Sequence, residues 1–168
     1  MQAKELRERM ASSVFERDTQ EFSLGDTLDI KTSILLVGLT FLASQSIEFW
    51  RYPLDPSGKI TQYISIFALM AGGITAVIEL WPRDYGVEGD PEKYDLWVKQ
   101  LGNHYAGQAD AEGKIYSEVL AGRAARAKER IHENMKTNKR KADLLVMAFG
   151  CLLISFISNL ATLLTRLF

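Results

Sequence analysis

One cysteine, two histidines and four prolines are scattered through this 168-residue chain. Cys151 stands alone inside an apolar run, so no intrachain disulfide and no cysteine cluster for a metal can form. His104 and His132 are 28 residues apart, without metal-ligand spacing. The motifs GxSxG, GxxxxGKS/T, HExxH and CxxC are absent. An acidic loop, Asp84, Glu88 and Asp90, lacks the glycine-turn spacing of a calcium loop, and the apolar runs hold no catalytic pair for an intramembrane hydrolase. The expectation is a protein that is not an enzyme and has no cofactor and no metal.

Local charge is the other scarcity. Twenty basic and 21 acidic side chains give a near-neutral whole, and mean hydropathy is near zero, as in a soluble protein. Yet Thr32–Ile47, Ile60–Ile78 and Leu144–Thr165 carry no charge over 16, 19 and 22 residues. A membrane helix needs roughly 20 apolar residues to cross about 30 Å of hydrocarbon. The third run meets this unaided. The second meets it with Leu80 and Trp81 added across Glu79, and the first is extended by Phe49 and Trp50 at an interface. Ile34, Leu69 and Leu153 are expected to face lipid. A soluble helical bundle is the alternative, but runs this long are hard to bury in so small a chain.

Lysine and arginine give the orientation. Five lie in the first 31 residues, two in Arg51–Lys59, twelve in Arg83–Lys141, and only Arg166 follows. The N-terminus and the long middle region are therefore expected in the cytoplasm, with the Arg51–Lys59 turn (Pro53, Pro56, Gly58) and the C-terminus outside. No cleavable signal is expected, because the charged start has no early apolar stretch.

The fold class that follows is an all-α membrane protein, three transmembrane helices with a helical cytoplasmic lobe between the second and third spans. Residues 1–29 form a cytoplasmic amphipathic arm, 30–82 a transmembrane hairpin, 83–142 the lobe and 143–168 the third span. In the arm, Leu6, Met10 and Val14 recur at four-residue steps, a face for the membrane or the lobe. Ser23–Asp26 reads as a capping box opening the first span. Asp90-Pro91-Glu92 starts a lobe helix, which Gly102, Gly107 and Gly113 weaken and break near 107–113. A second helix from about Ala111 has no proline or glycine between Arg123 and Phe149, so it is expected to run into the third span.

Polar residues mark two stripes in the spans. Thr40, Ser44 and Glu48 lie at i, i+4 and i+8; Ser155, Asn159 and Thr162 lie at i, i+4 and i+7, with Arg166 beyond. An ionisable group at the bilayer centre costs about 2.5–3.5 kcal/mol on insertion scales, so such groups face protein or water. Two readings stay open: hydrogen bonding between helices, or the lining of a pore built by several copies. Ala68, Gly72 and Ala76 give small-residue spacing for close helix contact, consistent with self-association.

From Arg123 to Lys141 there are eight bases and two acids, after an acidic first half of the lobe. Arg123, Arg126 and Arg130 form one row of guanidinium forks, with Lys136, Lys139 and Arg140 following; forks suit phosphates because they bind two oxygens at once. Positive-inside bias and attraction to anionic lipid are the competing readings, but Arg123 and Arg126 stand 17 or more residues before Asp143, further than that bias requires. Gly122 would let a ligand approach, and Tyr94, Trp97, Tyr105 and Tyr116 offer stacking faces for bases.

Asp29–Leu36 at the first span, Trp81-Pro82-Arg83 closing the second and Asn138–Ala142 leading into the third resemble small bacterial transmembrane effectors of anti-phage defence. The layout over about residues 25–168 is similar to that of Pycsar-type effectors and of the transmembrane partner of Hailong systems. The resemblance implies a partner nucleotidyltransferase or cyclase whose product binds the cytoplasmic helices and changes membrane permeability. The Hailong likeness implies an oligomeric ion channel controlled by a short oligodeoxynucleotide. The Pycsar likeness implies a cyclic pyrimidine mononucleotide, but the separate nucleotide-binding domain that Pycsar members can add has no room here. A basic helical surface suits the oligonucleotide better.

The resulting expectation is a homo-oligomeric channel or pore effector of the bacterial inner membrane, a tetramer as a first guess, gated by a nucleotide or oligonucleotide. A non-conducting anchor or scaffold that recruits a partner protein and a membrane-disrupting toxin without an ordered pore are the rivals.

Overall fold

The structure, a computed structural model, describes all residues except Met1, Tyr52, Asp84, Val87–Gly89 and Phe168, with side chains described from Glu5 to Thr165. Asp84 and Glu88 of the acidic loop, and the Arg166 side chain, lie outside the described residues. The described chain is all helical: α1 (Gln2–Trp50), α2 (Pro56–Leu80), α3 (Pro91–Tyr105) and α4 (Ala111–Leu167). Three of these, α1, α2 and α4, are long and apolar enough to cross a membrane.

The helix ends follow local chemistry. Asp55 caps α2, its carboxylate accepting from the Gly58 amide at 2.8 Å, and Pro56 occupies the first turn, where a missing N–H costs nothing. Pro56 and Gly58 thus belong to the helix rather than to the turn expected before it. Trp81, held extended by the following Pro82, ends α2. Asp90 accepts from the Glu92 amide at 3.0 Å and opens α3 where the sequence places it. Gly107 adopts φ +78°, and Asp110 φ +61°, to turn the chain between α3 and α4.

The capping box at Ser23–Asp26 does not form. Helix α1 passes straight through it, and the Ser23 hydroxyl donates back to the Gln20 carbonyl at 3.0 Å. A serine satisfied inside the helix has no cause to stop it.

The chain divides into two units, Met1–Leu24 with Asp84–Thr137, and Gly25–Arg83 with Asn138–Phe168. In the first, Ala11, Leu101, Ala127 and Ile131 are buried. The arm's deepest position is thus Ala11, while Leu6 and Met10 stay largely exposed. Asp18 joins Arg130, and the Asn134 carbonyl oxygen accepts from the Gly86 amide at 3.1 Å.

The second unit packs α1, α2 and α4 around Leu35, Leu39, Leu42, Leu69, Ala76 and Ala148. Its closest approach is at Gly72, where an added Cβ would stand 2.9 Å from Cys151 Cβ and 3.1 Å from Leu39 Cδ2. Ala68, Gly72 and Ala76 are all buried, so their small-residue face is spent on contact within the chain rather than left open for a second copy. Leu69 is likewise in this core and does not face outward, whereas Ile34 and Leu153 do.

The radial order of this unit is inverted relative to a water-soluble bundle. Beside Ala76 and Ala148, its largest fully buried side chains are polar: Thr32, Ser46, Gln62, Ser65, Glu79, Ser155 and Thr162. Its outer surface carries Ile34, Val37, Phe67, Val146 and Ile157, each more than 60% exposed. An apolar surface on this scale is stable only against another apolar phase.

Candidate functional site

The first unit gathers arginines onto aromatic rings. The Arg126 guanidinium lies 5.0 Å from the Trp97 ring centre, and that of Arg123 lies 5.3 Å from Phe15 and 5.9 Å from Tyr94. Tyr94 and Trp97 meet edge to face at 5.9 Å. This cluster forms because Asp90 starts α3 so that Tyr94 and Trp97 share a face, while Arg123 and Arg126 are three apart on α4. Gly122 makes the fit possible: a Cβ there would stand 2.6 Å from Trp97 Cη2. The glycine therefore accommodates an indole of the chain itself.

A guanidinium over a ring face is held there by cation–π attraction and remains a full positive charge toward an anion. Arg123 and Arg126 are both exposed. Arg130 differs: its Nε and Nη2 donate to Asp18 Oδ2 at 3.1 and 2.6 Å, and it is mostly buried. Lys136 is exposed on the first unit, Lys139 and Arg140 on the second. Tyr105 stands apart from the cluster. Its hydroxyl donates to the Glu118 carboxylate, which together with partial burial holds the phenol above its ordinary pKa, and Lys114 lies 5.9 Å over its ring. Tyr116 is half exposed on the first turns of α4.

Phe15 and Asp18 escaped the sequence reading. Asp18 was signalled, because it continues the four-residue steps of Leu6, Met10 and Val14 and so places an acid in an apolar stripe. Phe15 carried no comparable signal.

The second unit separates the two polar stripes. Ser155, Asn159 and Thr162 point inward. The Ser155 and Ser65 hydroxyls are 2.7 Å apart, Asn159 Oδ1 accepts from Ser46 at 3.1 Å, and the Thr162 and Thr61 hydroxyls are 2.7 Å apart. The Gln62 amide donates to the Ser46 carbonyl at 2.7 Å and completes the network. Thr40, Ser44 and Glu48 lie on the exposed side of α1. Thr40 and Ser44 bond to their own helix carbonyls, of Leu36 and Phe41, and Glu48 pairs with Arg51 at 3.0 Å. The stripes do not face each other within one chain.

At the opposite end of the same unit, Lys141 Nζ meets Asp29 Oδ1 at 2.5 Å with only 4% of the lysine side chain exposed. Glu79 is fully buried in the same unit, close to Thr32 and within electrostatic reach of Asp29, Lys141 and Arg83. Its two oxygens have no hydrogen-bond partner among the described residues. The apolar core of Leu35, Leu39 and Leu42 thus separates a hydroxyl–amide network from a charged one.

Among the described residues no three His, Cys, Asp or Glu side chains converge as a metal set. No family model, curated protein or solved structure matches the chain.

Proposed function

We propose that the protein is a homo-oligomeric ion channel or pore effector of a bacterial inner membrane, gated by an anionic nucleotide or oligonucleotide. Its setting in anti-phage defence rests on the resemblance in layout, which also supplies a partner nucleotidyltransferase or cyclase as the source of the ligand. The observation that carries the channel reading is the placement of Thr40, Ser44 and Glu48 on the outer face of α1. A lone chain leaves these polar groups against lipid, whereas several copies enclose them around water.

The ligand reading is supported by Arg123 and Arg126, exposed and stacked on Phe15, Tyr94 and Trp97. Phosphates would meet the exposed Arg126 guanidinium, and bases would extend the aromatic cluster. Helix α4 runs without a break from Ala111 to Leu167 and so carries both Arg126 and Ser155. Gating requires the ligand to bind the open and closed states with different affinity.

Ion flux from liposomes holding the purified full chain tests the channel, with a pool of short oligodeoxynucleotides and a cyclic pyrimidine mononucleotide as probes. Flux that changes on adding one of them, and no longer does so in Arg123→Gln/Arg126→Gln, is the expected result. The inward bonding of Ser155, Asn159 and Thr162 favours the rival reading of a non-conducting anchor or scaffold. Absence of flux under every condition would select that rival.

A further inference from the structure

On the outer surface of the second unit, α1 and α4 leave an open groove of about 550 Å³. Ile34 and Gly38 form one wall, Val146, Phe149 and Leu152 the other, and Lys31 stands at one end. Gly38 keeps the groove deep, since a Cβ there would press on Leu152 Cδ1 at 3.0 Å. Ile34 and Val146 are highly exposed, so the groove opens outward. From Lys31 to Gly38 is seven residues, about 10 Å of helix, room for the upper part of an acyl chain.

The charge at its end decides the occupant. Lys31 is exposed and makes no ion pair among the described residues. The nearest acid on α1, Asp29, is taken by Lys141. Lys139, seven residues before Val146, comes up on the same side of α4, and Arg140 is next to it. Asp143 on α4 and Asp26 on α1 are the exposed acids at this end of the unit, so three cations stand against two. The uncharged run begins one residue after Lys31, which sets the ammonium at headgroup level when Thr32–Ile47 lies in hydrocarbon.

We infer that this groove is a binding site for an anionic glycerophospholipid, with one acyl chain between α1 and α4 and the phosphate on Lys31, supported by Lys139. An apolar groove closed at the headgroup end by an unpaired lysine matches that ligand in both shape and charge. The inference rests on the membrane reading alone, not on conduction.

The test uses the full chain in phosphatidylcholine vesicles carrying a trace of phosphatidylglycerol or phosphatidylcholine with a photoreactive acyl chain, and maps the crosslinks by mass spectrometry. The phosphatidylglycerol probe is expected to label peptides around 31–38 and 145–152 about fivefold more than its zwitterionic counterpart, the preference one lysine near an anionic headgroup supplies. Lys31→Gln removes that preference, and Val146→Trp, which fills the groove from its exposed rim, lowers labelling by both probes. Equal labelling by the two probes, a preference that survives Lys31→Gln, or labelling spread evenly around the bundle would overturn the site. Selective labelling in a protein that passes no ions would reject the channel and keep the lipid site.

Discussion

Arg130 on α4 holds Asp18 on α1 through two guanidinium nitrogens, at 3.1 and 2.6 Å on one carboxylate oxygen. Both side chains are more than four-fifths buried. The pair fastens the N-terminal arm to the first unit, whose remaining core (Ala11, Leu101, Ala127 and Ile131) is small. It also withdraws one of three arginines from the row that composition alone offers to a ligand.

Removing the acid strands a mostly buried cation. Asp18→Asn is expected to destabilise the first unit by about 2 kcal/mol, within the range for hydrogen bonds to charged groups. Limited proteolysis near residues 12–24 would report the loosened arm. The exchange Asp18→Arg with Arg130→Asp should restore protection, and the two single changes should not.

Gly122 sets the Arg126–Trp97 stack. Gly122→Val puts its first carbon where the indole is and is expected to cost about 1–3 kcal/mol as overpacking. The tryptophan emission should shift to the red as Trp97 is displaced toward water. A Trp97→Phe background should lose that shift.

Gly72 sets the closeness of α2 and α4. Gly72→Val should destabilise the second unit by about 1–3 kcal/mol for the same reason, measured as a lower unfolding temperature in detergent. Cys151→Ala should not rescue it, because the atom approached most closely is the Cys151 Cβ, which alanine keeps.

Asp55 links pH to the start of α2. The Ser57 hydroxyl and the Gly58 amide both donate to its carboxylate and hold its pKa below the ordinary value. The sign follows: the cap is fully present above the usual aspartate pKa and is lost as pH falls through the lowered folded value. Amide exchange at Gly58 should stay slow down to that lower pH. In Asp55→Asn, whose side-chain oxygen still caps but does not titrate, the same amide should show no such step.

Helix α2, the α3 start at Asp90, the break near Gly107 and the unbroken run of α4 are legible in the sequence because each depends on neighbours within a few residues. So are the three long apolar segments, which composition sets directly. The absence of a stop at Ser23 was not legible, since Ser23 is compatible with either a cap or a back-bonded helix and only the continuing backbone chooses.

The face each polar residue presents belongs to the tertiary structure. Periodicity puts Thr40, Ser44 and Glu48 on one stripe and Ser155, Asn159 and Thr162 on another, yet says nothing of which stripe meets the other helices. Packing decides: Gly72 draws α2 against α4, Ser65 and Ser46 then reach Ser155 and Asn159, and the α1 stripe is left outside. The same holds for the bases. Eight cations between Arg123 and Lys141 are countable in the chain, but which are paired or held over a ring depends on Asp18, Asp29 and Phe15, each more than a hundred residues before its partner, and on Tyr94 and Trp97 of another helix. Local order needs only near neighbours; the division of labour among identical side chains is fixed by contacts that the fold alone brings together.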